Sequence, residues 1–266
     1  MNILTGEQFN KTYKNRKFVK LTNLFENHNG YQFQTGLNID SIPFNPSSYC
    51  QSGGIYFCEF EKLPIWLQYG SKLMYYARAV SIPNSAQVYR EWNKWKADRL
   101  ILGEREKIGE LEIWNDQKYC ALAFEQNRNM LKYLQTNCLC LAAVQTDPYI
   151  IKDVRNQTSD LCLEAVKGNW GALKYVKVQT PEICIEAVRQ NGLALQYVSV
   201  QTIEICIEAV RQNGLALQYV NVQTIEICME AVRQNGLALQ YVKSQTDLIC
   251  WEAFQQNGQA IIHVRF

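Results

Sequence analysis

The sequence predicts an α+β N-terminal domain followed by an all-α solenoid of seven short two-helix repeats. Three observations support this fold class. Gln-Thr pairs recur every 22 residues from Gln135 to Gln245, and cysteines recur with the same period. Residues 1–112 lack this repeat and instead contain short runs of β-branched and aromatic residues, which favour strands. The expected domains are therefore residues 1–112 and residues 113–266, the second holding seven repeats of about 22 residues.

Strands are expected in the first domain wherever such runs are bounded by proline or glycine. The predicted strands are Phe18–Leu24, Tyr31–Gln34, Gly54–Phe60, Leu73–Ile82, Ala86–Glu91 and Arg99–Leu102, with a short helix over Leu63–Tyr69. The segment Gly103–Trp114 has a charged first half and an apolar end. This pattern predicts a helix that docks on the first repeat.

Each repeat is predicted to contain two helices. In one central unit, Thr180 is a suitable N-cap and Glu182 lies where the helix dipole favours an acidic side chain. Asn191 and Gly192 then end the first helix, with the glycine expected in the left-handed conformation. A second, nearly buried helix is expected over Leu193–Val198. Helices of this length are not stable alone, so stacking must bury their apolar faces.

The repeated cysteines, such as Cys184, fall in the apolar stripe of the first helix. Stacked helices lie about 8–10 Å apart, which is too far for a disulfide between neighbouring repeats. We therefore expect buried free thiols and a reducing compartment such as the cytosol. No apolar run approaches the ~20 residues that span a bilayer, and the N-terminal segment lacks the apolar core of a secretory signal.

The charge balance bears on possible partners. The chain has 27 Lys and Arg against 25 Asp and Glu, a net charge of +2. This excludes a strongly basic protein that wraps nucleic acid, and a nucleic-acid partner is not favoured. We interpret the basic residues near the start as a solvated surface; they are Lys11, Lys14, Arg16, Lys17 and Lys20.

A set of short motifs in the first domain points to a family. They are Lys20-Leu-Thr-Asn23, Gly36-Leu-Asn-Ile-Asp40, Pro43-Phe44, Cys50, Gly53-Gly-Ile-Tyr-Phe-Cys58, Trp66-Leu67, Tyr69-Gly70, Ile82-Pro83 and Lys96-Ala-Asp98. They resemble the N-terminal module of giant-virus repeat proteins of the mimivirus type, which often precedes ankyrin repeats. The 22-residue unit is similar to a short helical repeat of unknown function in the same viruses and in some bacteria. It departs from the ankyrin pattern in its shorter period and in lacking Thr-Pro-Leu-His.

The resemblance implies a viral protein that acts through protein contacts in the host cytoplasm, or in the virion. We therefore interpret the chain as a non-enzymatic interaction scaffold, with an unknown viral or host protein partner and no membrane. No Ser-His-Asp set, phosphate-binding loop or metal motif is visible in the sequence. We accordingly assign no catalytic residue, cofactor or metal.

One enzymatic alternative stays open. His28 near a glycine, followed by Gly53-Gly-Ile-Tyr56-Phe, resembles the nicotinamide-holding strands of ADP-ribosyltransferases related to poly(ADP-ribose) polymerases. That resemblance implies that His28 would bond the ribose of NAD and that Tyr56 would stack on the nicotinamide ring. The N-terminal domain would then be an ADP-ribosyltransferase-like NAD-binding domain, either active or decayed, carried by the repeat scaffold. Asn29 separates His28 from its glycine, and the catalytic glutamate of that family has no assignable counterpart.

Candidate contact residues fall into two groups. They are the polar-face residues Glu186, Arg189, Gln190, Glu208, Arg211 and Gln212, and the apolar residues Trp251 and Ile262. The polar face repeats almost unchanged in three units, so we expect partner specificity in the N-terminal module and the earlier units. The apolar last repeat predicts a homodimer through the C-terminal repeats. The alternative is a monomer in which Trp251 and Phe254 fold inward.

Overall fold

The computed structural model describes residues 3–28, 30–47, 51–69 and 72–265. They form two compact units, residues 1–139 and residues 140–266. The first unit therefore contains the short first repeat as well as the sheet, and the domain boundary after residue 112 stays a prediction. Cys50 and Gly70 of the motif set lie outside the described residues.

The first unit is rich in strands. In chain order its elements are β1 (Leu4–Thr5), α1 (Gly6–Thr12), β2 (Phe18–Thr22), β3 (Asn27–His28), β4 (Tyr31–Gln32), β5 (Gly36–Ile39), β6 (Ile55–Glu59), β7 (Gln68–Tyr69), β8 (Lys72–Leu73), β9 (Tyr76–Ser81), β10 (Gln87–Glu91), β11 (Lys94–Ala97) and β12 (Arg99–Lys107). Eight strands make one antiparallel sheet in the order β1-β10-β11-β6-β2-β9-β12-β5. The pairs β3–β4 and β7–β8 form separate hairpins.

Aromatic side chains fill the core on one side of this sheet. The ring of Phe9, on α1, lies 4.9 Å from that of Phe18 and 5.1 Å from that of Trp95, measured between centroids. Phe57 joins them at 5.7 Å from Phe18. Tilted and edge-to-face packing of this kind adds stability beyond the area that is buried. Helix α1, which the strand patterns did not predict, is thereby fixed against the sheet.

The predicted helix over Gly103–Trp114 is wrong. Strand β12 continues through Gly103 to Lys107, and two 3₁₀ turns follow over Ile108–Glu110 and Glu112–Asn115. Leu100 and Leu102 are buried on alternate positions of this strand, and the exposed charges beyond them lie on a strand that pairs with β9. The charged run therefore marks a solvated strand end. Trp114 is nonetheless buried, and its ring lies 5.3 Å from that of Tyr119 in the first repeat.

The rest of the chain is a regular series of helices and 3₁₀ turns. The helices are α2 (Gln117–Gln126), α3 (Asn137–Thr146), α4 (Ser159–Gly168), α5 (Pro181–Gln190), α6 (Ile203–Gln212), α7 (Ile225–Gln234) and α8 (Asp247–Gln256). The turns are Arg128–Lys132, Pro148–Asp153, Trp170–Tyr175, Gly192–Tyr197, Gly214–Tyr219, Gly236–Tyr241 and Gly258–His263. The predicted class, an α+β domain followed by helical repeats, is confirmed. The second element of each repeat is a 3₁₀ turn of five or six residues rather than an α-helix.

The predicted N-cap is confirmed, because Thr180 Oγ1 accepts a hydrogen bond from the backbone N–H of Ile183. The reason given for Gly192 is wrong. Asn191 ends the helix in an extended conformation, and Gly192 has no positive φ. A Cβ at Gly192 would instead collide with the backbone carbonyl of Ala209 in the next helix. The glycine is required by the close approach of neighbouring repeats, not by a left-handed turn.

The expectation for the cysteines is supported by their surroundings. Cys184, Cys206 and Cys228 are buried free thiols, and desolvation raises the pKa of each thiol. A buried thiol with a raised pKa behaves as a small apolar side chain and is a poor nucleophile.

Candidate interaction surfaces and a candidate ligand pocket

The predicted polar face of the repeats forms bonds between neighbouring repeats. Arg189 Nε donates to Glu208 Oε1 at 2.7 Å, and Arg211 Nε donates to Glu230 Oε2 at the same distance. Arg233 continues the series with Glu252. Each carboxylate raises the pKa of its arginine. These pairs link consecutive helices.

The glutamines of the same face are also engaged. Gln190 Nε2 donates to the backbone carbonyl of Val166 at 2.9 Å and to Glu186 Oε1 at 3.0 Å. The backbone N–H of Gly192 donates to Gln212 Oε1 at 2.6 Å. Six of the eight predicted contact residues therefore have a structural role between or within repeats. That role accounts for their near-invariance, and their role in partner binding stays a prediction.

An exposed apolar row lies elsewhere on the repeats. Val178, Val200 and Val222 precede successive Gln-Thr pairs and are 73%, 75% and 77% exposed. Ile203 and Ile225, each at the first position of its helix, are 58% and 65% exposed. This row was not predicted from the sequence, although a valine repeated at one position of three polar linkers could have indicated it. Apolar side chains that stay exposed in successive central repeats are candidates for a contact surface.

The last repeat presents a second apolar patch. Trp251 is 59% exposed and Ile262 is 76% exposed, and Phe254 and Ile261 are exposed beside them. The rings of Trp251 and Phe254 lie 6.3 Å apart. The alternative in which these two rings fold inward is therefore not the arrangement observed.

A pocket of about 140 Å³ opens in the first unit. It lies beside strands β2 and β6 and is partly covered by the β3–β4 hairpin and by the segment that precedes β6. His28 and Tyr56 both line it, so the two residues singled out from the sequence are brought to one cleft.

Two polar side chains of the pocket have hydrogen-bond partners. Tyr56 Oη donates to the backbone carbonyl of Gln51 at 3.4 Å. Of the described residues that line the pocket, only Asp40 carries a carboxylate. Its two oxygens accept backbone N–H bonds from Ile42 and Gly54.

The interpretation of Lys20 as a solvated residue is wrong. Lys20 lies on the central strand β2, is 8% exposed and lines the pocket. Its Nζ lies 4.6 Å from the centroid of the Phe33 ring, a cation–π contact. Desolvation lowers the pKa of Lys20 to about 8. The basic run near the start of the chain gave no indication of this, because only the strand pairing places Lys20 in the interior.

Lys96 fixes the wall of the pocket. Its side chain is fully buried on β11, and its Nζ donates to the backbone carbonyls of Asn45 and Gln51, each at 2.8 Å. Gly54 has a φ of +129°, and a Cβ there would crowd the Lys96 side chain. Lys96 therefore helps to hold the segment before β6 to the sheet, together with the hydrogen bond from Gly54 to Asp40.

These features define a repeat protein that combines a sheet-rich domain with helical repeats. The family model for a domain of unknown function, DUF4116, matches residues 158–202, 180–225 and 202–245. The uncharacterized protein R869 of Acanthamoeba polyphaga mimivirus is 31% identical over 114 residues, which are 42% of this chain and 83% of R869. The chain belongs to the family of mimivirus proteins that includes R869.

Two further relatives from the same virus are named as ankyrin repeat proteins. R868 is 27% identical over 42% of this chain and 57% of its own length. R229 is 33% identical over 31% of this chain and 28% of its own length. The chain thus spans less than two thirds of either ankyrin repeat protein. No solved structure gives a significant match.

Every helix among the described residues is too short or too polar to cross a membrane. No group of three or more potential metal ligands lies together in that part of the chain.

Proposed function

We propose that this giant-virus repeat protein is a scaffold that binds a viral or host protein in the host cytoplasm. The observation that carries the proposal is the apolar row formed by Val178, Val200, Val222, Ile203 and Ile225, which stays exposed in a repeat whose polar residues are used between repeats. The similarity to R868 and R229, which are named as ankyrin repeat proteins, supports a scaffold role. The N-terminal unit supplies a second binding region.

The spacing of the row suggests the form of the partner. Packed helices lie roughly 8–10 Å apart, so Val178, Val200 and Val222 recur at about that distance. Seven residues of an α-helix rise about 10.5 Å. An amphipathic helix with one apolar residue per heptad therefore matches the row, and binding of this small area is expected to be transient.

The test compares matched substitutions in the full chain. The variant Val200→Lys with Val222→Lys places charges in the row, whereas Gln196→Lys with Gln218→Lys places the same charges on exposed positions of the same repeats. Proteins captured from infected-cell lysate are quantified for both variants and for the wild type. Loss of a captured set only from the valine variant supports the proposal. Equal capture by all three proteins overturns the assignment of the row.

One observation favours the enzymatic alternative, the NAD-binding N-terminal domain. His28 and Tyr56 line the same pocket, as that hypothesis requires. The carboxylate of Asp40 is engaged by two backbone N–H groups, so it does not supply a free catalytic acid. Calorimetric titration of the full chain with NAD tests the hypothesis, and the absence of heat at millimolar NAD would remove it.

A further inference from the structure

The pocket lies where the large sheet splits. Strands β2 and β6 pair only through Phe18 with Glu59 and Val19 with Cys58. Beyond these two pairs β2 and β6 make no further pairs with each other: β2 pairs with β9 from Val19 to Thr22, and Ile55–Phe57 of β6 pairs with β11 on the other edge of β6. The two strands therefore part at Lys20, and the pocket is lined by both of them. A gap between diverging strands offers a ligand both side chains and backbone groups.

Lys20 is distinguished from the other buried cations by its lack of an acceptor. Lys96 donates to two backbone carbonyls, Lys94 lies 3.6 Å from Glu91, and Arg78 forms a double hydrogen bond with Glu26. Among the described residues the Lys20 Nζ forms no hydrogen bond and no ion pair, and it contacts the Phe33 ring at 4.6 Å from the centroid. An ammonium group that lines a pocket without an acceptor has lost much of its hydration, and an anion that entered the pocket would compensate for that loss.

The rest of the pocket is mostly apolar. Its walls include Phe33, Tyr31, Tyr56, Trp66, Ile42 and Met74. The Lys94 Nζ lies 4.2 Å from the centroid of the Tyr56 ring and 5.1 Å from that of Trp66. A flat apolar group would fit between such walls, whereas a strongly hydrated polyanion would lose its water without enough donors to replace it.

We propose that the pocket binds a small organic carboxylate with a flat apolar body, its carboxylate accepting a hydrogen bond from Lys20 Nζ. A single negative charge is required, because Lys94 and Arg78 are already balanced by Glu91 and Glu26. Cys58 adds no reactive group, since burial raises the pKa of its thiol to about 12. The proposal is independent of the scaffold function.

Calorimetry on the full chain with benzoate and benzamide separates the charge from the shape of the ligand. The two probes share a ring, but only benzoate carries a carboxylate. We expect benzoate to bind in the millimolar range or tighter and benzamide to bind about tenfold more weakly. Equal binding of both probes, or tighter binding of benzamide, overturns the proposal; the second result favours the nicotinamide site of the enzymatic alternative. No binding of benzoate also overturns it.

Two variants locate the charge. Lys20→Met keeps the length of the side chain, and Lys17→Met removes an exposed lysine from the segment just before β2. We expect the first to weaken benzoate binding about tenfold or more and the second to leave it unchanged. Unchanged binding in a folded Lys20→Met protein contradicts the assignment of Lys20.

The affinity of the wild-type protein for benzoate, measured at several pH values, also tests the role of the Lys20 charge and needs no variant. The ionisable groups around the Lys20 ammonium are Cys58 on β6, Lys94 on β11 and Arg78, which is opposite Lys20 on β9 and is paired with Glu26. Asp40, His28, Tyr31 and Tyr56 also line the pocket. Benzoate affinity should fall as the pH rises through about 8, where free Lys20 loses its proton, while benzamide affinity stays level. A benzoate affinity that does not change across this range overturns the proposal even if Lys20→Met fails to fold.

Discussion

The side chain of Gln201 bonds directly to the backbone of Tyr219, at the end of the 3₁₀ turn that follows helix α6, with Nε2 donating to the Tyr219 carbonyl at 2.8 Å. Gln201 Oε1 accepts from the backbone N–H of Asn221 at 2.9 Å, so one amide satisfies two backbone groups at the end of its repeat. Gln179 and Gln223 make the equivalent bonds, and each also donates to the 3₁₀ turn of the preceding repeat. The recurrent glutamine therefore ties the linker before each helix to the linker after the next 3₁₀ turn.

Replacing this amide should destabilise the stack of repeats. Gln201→Ala leaves a partly buried carbonyl without its donor and an exposed N–H without its acceptor, so we expect the free energy of unfolding to fall by about 1–2 kcal/mol. Urea unfolding of the full chain, with hydrogen exchange to locate the change, measures it. The control is Gln218→Ala, since Gln218 is exposed and bonds only within its own turn. Equal losses from the two substitutions would contradict the linkage role.

The wall of the pocket should depend on one buried lysine. Lys96→Met keeps the volume of the side chain but leaves the carbonyls of Asn45 and Gln51 without their donor. We expect a loss of about 2–3 kcal/mol in the free energy of unfolding and faster hydrogen exchange over residues 51–54. The matched control is Lys62→Met, at a partly exposed position outside the pocket. Unchanged exchange over residues 51–54 would show that Lys96 does not fix this segment.

The burial of Lys20 predicts a pH dependence of stability. Its pKa falls from its ordinary 10.5 to about 8 on folding, so between these values the unfolded chain binds more protons and stability rises with pH. The destabilisation caused by burying the charged Lys20 ammonium is about 3 kcal/mol; it is fully present below pH 8 and is relieved as the pH rises towards 10.5. We expect Lys20→Met to be more stable than the wild type at neutral pH, by a margin that shrinks as the pH rises.

Urea unfolding at several pH values measures that margin. The control Lys17→Met removes an exposed lysine and should give a difference from the wild type that does not vary with pH. A Lys20→Met margin that stays constant between neutral pH and pH 10.5 would mean that the folded protein does not depress the Lys20 pKa.

The exposed patch on the last repeat leads us to expect a homodimer. Trp251 and Ile262 are 59% and 76% exposed, and a second copy would cover both with the same patch. Light scattering at micromolar concentration should give twice the monomer mass of 30.8 kDa. Trp251→Glu with Ile262→Glu should give the monomer mass, because it places charges in the proposed interface. A wild-type monomer, or a variant that stays dimeric, contradicts this interface.

The helix caps and apolar stripes of the repeats were predictable because they depend on the spacing of residues within one repeat. Thr180 as N-cap and Cys184 in the apolar stripe follow from spacing alone. Helix α1 could also have been predicted, since Thr5 and Gln8 form a capping box and stand three residues apart in the sequence. The first part of strand β12, Arg99–Leu102, was predicted as a strand, but its continuation from Gly103 was predicted as a helix because the charged end has no clear alternation.

The contact residues were harder to assign. Glu208 and Arg189 are polar residues on the exposed side of their helices, and the sequence alone suggests that such residues face a partner. Only the stacking of repeats brings Arg189 within 2.7 Å of Glu208 and makes the pair internal to the protein. The same stacking leaves Val200 and Ile203 exposed, although their type predicts burial.

The sequence by itself determined the period, the caps, the apolar stripes and the sheet-rich character of the first domain, because these depend on neighbours within one repeat or one strand. The tertiary structure alone decided that Gly192 is required by Ala209, that His28 and Tyr56 share a pocket, and that Lys20 is buried. Each of these rests on a contact between residues distant in sequence or on the order of strands in a sheet. Residue type and spacing do not predict such contacts, since many strand orders are compatible with the same local pattern.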